Sequence, residues 1–189
     1  KYKAIPGPDG VPAGKIDSHD RTIIGNPTPR YEFGLTLGLQ WKGIDFSAFF
    51  QGVGKKDVYY SGAGARALCG NYTIYKYQFD YWTPENPDAK FPRLLEDPNA
   101  TNPNNMISSF WVKSGAYCRL KNIVLGYTLP SSITKAAHIS KLRVYASAQN
   151  LFTIKDNFYE GFDPENSVSS GASLYPLNKT FVFGLNVEF

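Results

Sequence analysis

Five stretches of the chain alternate apolar and polar side chains, and this alternation constrains the fold more than any other feature. The stretches are residues 31–41, 44–52, 116–129, 141–154 and 180–189. A period of two residues is typical of β-strands that have one apolar face. The length of the first stretch also matches the roughly 9–11 residues of a tilted membrane strand. The pattern therefore predicts an all-β protein.

The lengths of the links between these stretches favour one kind of β protein. Short links join the first stretch to the second and the third to the fourth, whereas very long links follow the second and the fourth. In an antiparallel series, the short links then lie at one end of the strands and the long links at the other. This asymmetry is typical of outer-membrane barrels, with short periplasmic turns and long extracellular loops. We therefore predict an antiparallel transmembrane β-barrel.

The last stretch, Thr180–Phe189, has the most apolar face of the five. That face consists of Phe181, Phe183, Leu185, Val187 and Phe189. The stretch ends on an aromatic residue, where a soluble domain usually carries a few polar residues. We interpret it as the closing strand of the barrel, in contact with outer-membrane lipid and with a periplasmic carboxy-terminus.

The composition excludes several function classes. The 189 residues include 13 Tyr, 13 Phe, 17 Gly and 13 Pro, which favours long loops between strands over a helical enzyme. Lys and Arg are scattered among the acidic residues despite a net charge of +4, so nucleic acid is not an expected partner. The two histidines have no recognisable nucleophile or metal partner, so we expect no enzymatic activity.

The whole chain is predicted to be part of one barrel domain. Its expected parts are an extracellular loop (1–30), a hairpin (31–52), a long extracellular loop (53–109), strands with a periplasmic turn (110–154), an extracellular loop (155–179) and the closing strand (180–189). Five strands cannot close a barrel, because the smallest barrels have about eight. We therefore expect the remaining strands upstream of Lys1, where the sequence does not open a signal peptide.

The long loop contains a group of aromatic residues that are candidates for ligand contact. They are Tyr72, Tyr75, Tyr77, Tyr81 and Trp82. Such rings stack on sugars or grip peptides. The alternative, which we favour for any single ring, is that it pins the loop to its own scaffold.

An acidic stretch near the amino-terminus is a candidate calcium site. Laid on a twelve-position calcium loop, Asp9, Asp17 and Asp20 fall at the first, ninth and twelfth positions. Val11 and Ala13, however, stand where oxygen ligands belong. A turn-rich loop held by Asx hydrogen bonds is therefore the preferred interpretation.

The two cysteines, Cys69 and Cys118, allow one disulfide in an oxidising compartment or two free thiols. Their spacing does not decide between these alternatives, because a disulfide needs a specific geometry.

Several ordered motifs resemble the SusC/RagA family of TonB-linked outer-membrane proteins. The resemblance covers nearly the whole chain, in Asp20–Tyr59, Trp82–Asn86 (W-T-P-E-N), Arg119–Pro130 (R-L-K-N-I-V-L-G-Y-T-L-P), Leu142–Phe152 (L-R-V-Y-A-S-A-Q-N-L-F) and Tyr175–Phe189. The chain looks like the carboxy-terminal portion of such a protein. Its acidic loop before Asp20 is also a family feature, although the family's loop is usually richer in Asp and Asn.

The resemblance implies a barrel of about 22 strands with a plugged lumen. It also implies a SusD-like surface lipoprotein as partner and the import of glycans or oligopeptides with energy supplied through TonB. The plug and the TonB-contacting segment belong to the family's amino-terminal part, which this chain lacks. The carboxy-terminal strand, with Phe189 last, resembles the signal that the outer-membrane assembly machinery recognises.

A soluble β-sandwich that binds carbohydrate through the aromatic loop is the alternative function. Alternation alone does not separate the two, because a sandwich and a membrane barrel both have one dry face. A soluble sandwich would, however, leave large apolar patches in water, so we favour the barrel.

Overall fold

We describe a computed structural model of the chain. It describes residues 5–6, 20–62, 65–68, 73–96, 104, 106–158, 162–165 and 177–189. The strands are β1 (Tyr31–Trp41), β2 (Ile44–Gly54), β3 (Asp57–Tyr59), β4 (Val112–Ser114), β5 (Tyr117–Thr128), β6 (Lys141–Lys155) and β7 (Thr180–Glu188), and the single α-helix among these residues is α1 (Ser131–Thr134). Short 3₁₀ helices cover Lys76–Phe79, Ser109–Trp111 and Lys135–Ala137.

Five strands form one antiparallel sheet in the order β1-β2-β5-β6-β7. The bounds of β1 are those that the alternation predicts, and β2 runs two residues further, to Gly54. The turn between them has Lys42 at φ 46° and Gly43 at φ 85°, and two positive φ values match the twist of a two-residue hairpin. The alternation therefore predicted the strands of this sheet closely.

The sequence did not predict β3 and β4, which pair with each other in a separate two-stranded sheet. Each has only three residues, which is too short for an alternating pattern. The short helix α1 follows β5; its N-cap is Pro130, and no side chain caps it.

The register of the sheet separates an apolar face from a polar face. One row across the apolar face consists of Leu39, Phe46, Leu125, Ala146 and Phe183. The neighbouring row on the polar face consists of Gln40, Asp45, Gly126, Tyr145 and Gly184. Because side chains alternate along each strand, every strand contributes to both faces.

A β-bulge interrupts this register near the middle of β5. Relative to β2, the extra residue in β5 is Lys121. On β6, Asn150 and Leu151 lie opposite that same residue, and Asn150 has a positive φ of 53°. A bulge redirects side chains and increases the local twist. Here it changes the phase of β5, so that Arg119 and Asn122, which are three residues apart, share the polar face.

The chain divides into two compact units. The sheet unit contains the described residues of Thr28–Asp57 and those from Ser114 onward. The loop unit contains the described residues up to Pro27 and those of Val58–Lys113. Buried Trp111, Gln78, Phe91 and Ala65 form the core of the loop unit. No helix among the described residues is long and apolar enough to cross a lipid bilayer.

Candidate functional site

The most buried charged side chain of the sheet unit is Arg119, which lies on the polar face of β5 and is only 2% exposed. Its Nη2 lies 2.6 Å from Asp163 Oδ2, and its Nη1 lies 2.8 Å from Glu165 Oε2. Its Nε donates to Thr153 Oγ1 on β6 at 2.7 Å. A buried guanidinium is stable only when its donors are matched in this way.

Glu165 accepts from two further groups on β5. Tyr117 OH donates to Glu165 Oε1 at 2.9 Å, and Lys121 Nζ lies 2.7 Å from the same oxygen. The carboxylate therefore bridges the bulge residue Lys121 and two residues that precede it on β5, Tyr117 and Arg119. We call Arg119, Lys121, Tyr117, Thr153, Asp163 and Glu165 the Arg119 cluster.

The cluster holds the segment Phe162–Glu165, which follows β6 along the chain. Main-chain contacts add to the ion pairs, since Lys56 Nζ donates to the Pro164 carbonyl at 3.2 Å and Lys155 Nζ donates to the Phe162 carbonyl. The Asp163 carboxylate also accepts from the main-chain N–H of Glu165 at 2.9 Å. The segment is thus fixed against β5 and β6 by side-chain and main-chain bonds.

An open groove of ≈ 700 Å³ lies beside this cluster on the sheet unit. Its polar lining comes from Glu32 on β1, Gln51 on β2, and Lys56, Tyr117, Lys121 and Glu165. Gly34 also lines the groove, and a Cβ at that position would lie 3.3 Å from the ring of Phe49. A larger residue at this position would crowd the ring of Phe49, which also lines the groove.

A second ion pair lies on the polar face near the β1–β2 turn. Arg143 on β6 donates through Nε to Asp45 Oδ1 at 2.8 Å and through Nη2 to Oδ2 at 2.5 Å. The pair spans β5 at Gly126, where a Cβ would collide with both side chains. The guanidinium also lies 5.0 Å from the centre of the Tyr145 ring, within cation–π range.

The predicted ligand-contacting aromatic residues lie in the loop unit, apart from Tyr72, which lies outside the described residues. Tyr75 and Tyr77 stack with ring centres 5.8 Å apart, and Tyr77 packs against Phe91 at 6.1 Å. Burial, followed by the neighbouring Tyr75, raises the pKa of Tyr77 well above its usual value. Tyr77 therefore joins the exposed Tyr75 ring to the core residue Phe91.

The remaining two aromatic candidates flank the same core. Tyr81 pairs with Phe91 in an isolated β-bridge, and the main-chain N–H of Trp82 donates to the Phe91 carbonyl at 2.9 Å. Trp82 is 39% and Tyr75 37% exposed. Two of the five candidates thus present open ring surface and two support the loop.

Of the three acidic residues of the candidate calcium loop, Asp20 is described by the structure, whereas Asp9 and Asp17 lie outside the described residues. Asp20 accepts from the main-chain N–H of Ile5 through Oδ1 at 2.6 Å. Within the described ranges, no group of three or more His, Cys, Asp or Glu side chains could hold a metal. Cys118 is a free thiol, and Cys69 lies outside the described residues.

The predicted assembly signal lies on the apolar face of β7 and in the residue after it. Its members are widely exposed: Phe181 60%, Phe183 81%, Leu185 68%, Val187 42% and Phe189 91%. The strand is paired on one side only among the described strands, and β1 is likewise paired on one side.

No family model matches the chain. The TonB-dependent receptor P3 of Formosa agariphila is 34% identical over 93% of this chain and 18% of its own length. The TonB-dependent receptor SusC of Bacteroides thetaiotaomicron is 29% identical over 93% of this chain and 17% of its own length. The structure of the RagAB peptide importer in the open-open state matches 98% of this chain and 20% of its own chain, with a TM-score of 0.72 and 28% identity.

The chain belongs to the SusC/RagA family. It spans about a fifth of the length of the relatives it matches. The five-stranded sheet is accordingly part of the wall of an antiparallel outer-membrane β-barrel, as predicted from the alternation. The relatives are receptors and importers, in agreement with the expectation that the chain is not an enzyme.

Because the chain belongs to the SusC/RagA family, the surroundings of each face of the sheet can be assigned. A barrel in the outer membrane turns its apolar face to lipid and its polar face to the lumen. The apolar row through Leu39 and Phe183 therefore contacts lipid. The Arg119 cluster, the groove and the Asp45–Arg143 pair lie on the lumen side of the wall.

The sequence did not indicate the Arg119 cluster. The acidic partners of Arg119 lie 44 and 46 residues away along the chain, so no local pattern connects them. A signal was present nonetheless, because Arg119 and Lys121 flank Leu120 near the start of a strand that is otherwise largely apolar. Cations at such positions need acidic partners on the same face.

Proposed function

We propose that this chain is part of the barrel wall of a TonB-dependent outer-membrane importer of glycans or oligopeptides. The observation that carries the proposal is a sheet with one continuous apolar face and one polar face that holds a groove of ≈ 700 Å³. Such a wall separates lipid from a solvated lumen. The likeness of the chain to a peptide importer supports the same function.

The pairing of the strands supports the proposed topology, because it puts the short connections at one end of the sheet and the long connections at the other. The short β1–β2 turn and the α1 connection lie at the periplasmic end, as does the carboxy-terminus. The loop unit and the segment after β6 lie outside the cell, where the exposed rings of Tyr75 and Trp82 contact ligand. We propose that β1 and β7 each pair with a further strand of the same barrel, because an unpaired strand edge in lipid is costly.

The proposed partners are the remaining strands and plug of the same protein, a SusD-like surface lipoprotein, and TonB. The RagAB importer and SusC are the relatives that support this set. No cofactor is part of the proposal.

Uptake by the source bacterium tests the proposed function. Cells are given a mixture of oligopeptides and oligosaccharides, and mass spectrometry follows the disappearance of each from the medium. We expect a defined subset to be taken up by the parent strain. That subset should remain in the medium when either the gene for the full-length protein or TonB is removed. Identical depletion in all three strains would overturn the proposal.

Phe189 is proposed to contribute to an assembly signal with the other apolar residues of β7. Deletion of Phe189 from the full-length protein should lower its level in the outer membrane several-fold, because the most exposed aromatic side chain of that face is lost. Quantitative immunoblotting of membrane fractions measures the effect. Replacement of Glu188 by glutamine is the control, and equal levels of the deletion variant and the parent would exclude the role.

A further inference from the structure

We propose that the groove on the polar face binds short zwitterionic peptides, with Glu32 taking the peptide amino group and Lys56 taking its carboxylate. This inference rests on the proposed function and assigns a substrate class to one site on the wall. The groove volume of ≈ 700 Å³ falls within the roughly 300–1,000 Å³ of ligand-binding pockets. The charges that line it decide the substrate class.

Two of the four charged residues in the lining neutralise each other. Lys121 and Glu165 are paired at 2.7 Å, and Glu165 also accepts from Arg119 and Tyr117. These groups form hydrogen bonds and ion pairs with one another within the Arg119 cluster. They form a fixed wall of the groove and leave little charge for a ligand.

Glu32 is the anion that remains. It lies on the exposed strand β1 and lines the groove together with Gly34 and Gln51. Within the part of the chain that the structure describes, no hydrogen bond or salt bridge engages its carboxylate. An ionised carboxylate only accepts hydrogen bonds, so its matching ligand group is an ammonium.

Lys56 is the cation that remains. Its Nζ donates to the Pro164 carbonyl at 3.2 Å, and a lysine ammonium has three donors. Its contact is with a neutral carbonyl, and no carboxylate of the described residues forms a salt bridge with it. Its charge therefore matches a ligand carboxylate.

A bipolar groove of this kind discriminates between ligand classes. A zwitterionic peptide satisfies both charges, and its main-chain amides match the neutral side-chain amide of Gln51. A neutral oligosaccharide would displace water from Glu32 and Lys56 without supplying a counter-charge, which reduces affinity. The groove therefore favours peptides with free ends.

Three tripeptide probes test the inference on the full-length protein with its lipoprotein partner in detergent. The probes are trialanine, N-acetyl-trialanine and trialanine amide, and isothermal titration calorimetry measures each affinity. We expect trialanine to bind about tenfold more tightly than either blocked form, which corresponds to about 1.4 kcal/mol.

Two variants then give a crossed pattern. Glu32→Gln should weaken trialanine and trialanine amide about tenfold and leave N-acetyl-trialanine unchanged. Lys56→Gln should weaken trialanine and N-acetyl-trialanine about tenfold and leave trialanine amide unchanged. Glu188→Gln and Lys141→Gln make the same charge changes at the other end of the sheet, where the two residues pair with each other at 3.4 Å, and should change none of the affinities.

Other outcomes separate this inference from the proposed function. Equal affinities for all three probes, failure of all three to bind, or variants that act alike on every probe would overturn the inference. TonB-dependent uptake in the same strain would then leave the importer proposal standing. The binding measurements and the uptake measurement therefore test peptide binding by the groove and import by the full-length protein independently.

Discussion

Replacement of Arg119 by methionine is expected to lower the free energy of unfolding of the full-length protein by about 3–5 kcal/mol. The guanidinium is almost completely buried and makes hydrogen bonds to Asp163, Glu165 and Thr153. Methionine keeps much of the volume but removes the ion-pair partner of Asp163. Lys121 and Tyr117 still bind Glu165. Asp163 is therefore the carboxylate that loses the most stabilisation.

The same substitution should also release the segment Phe162–Glu165 from the wall. Limited proteolysis of the folded protein measures this, since a released connection between β6 and β7 should be cut faster. Urea unfolding in detergent measures the stability loss. Adding Asp163→Asn to the variant should recover part of the stability, because the uncompensated carboxylate is removed.

Arg143→Met is the matched control for this prediction. Arg143 also forms a bidentate pair, but its side chain is 21% exposed, so water screens the loss. We expect a smaller effect, without faster cleavage after β6. An Arg119 variant that unfolds at the parent's urea concentration and resists protease equally would contradict the proposed role of the cluster.

The sheet could be predicted from the sequence because its signal is local. Alternation at a period of two is visible within each strand, and a two-residue turn at Lys42 and Gly43 sets the register of the first hairpin. The apolar face follows from the same pattern, since a shift of one residue would turn every apolar side chain to the lumen. The bulge at Lys121 was not predicted, although the alternation is interrupted there by two consecutive polar residues, Lys121 and Asn122.

The candidate site could be predicted only in part, because some of its residues contact partners that are far away along the chain. Glu32 and Arg143 alternate with the apolar residues of β1 and β6, and the register places both on the polar face. The partners of Arg119 come from a connection whose fold no local pattern reveals. The exposure of Tyr75 and Trp82 likewise depends on packing around Phe91, which lies elsewhere in the long loop.

Along β5, side chains that contact lipid should alternate with side chains that face the lumen. This difference in lipid contact between neighbouring residues is the largest effect expected of a strand in the barrel wall. Ile123 and Leu125 lie on the apolar face, whereas Asn122 and Val124 lie on the polar face. β5 is the central strand of the sheet and is paired on both sides. Any difference in lipid contact between its side chains is therefore due to the face on which they lie. An unpaired strand edge does not contribute to it.

Quenching by lipids brominated along their acyl chains measures this alternation most directly. A small fluorophore is attached to a single cysteine at position 122, 123, 124 or 125 of the full-length protein, with Cys69 and Cys118 replaced by serine, and the protein is reconstituted in a bilayer. We expect strong quenching at positions 123 and 125 and little at 122 and 124. Equal quenching at all four positions would contradict the assignment of this sheet to the wall of an outer-membrane barrel.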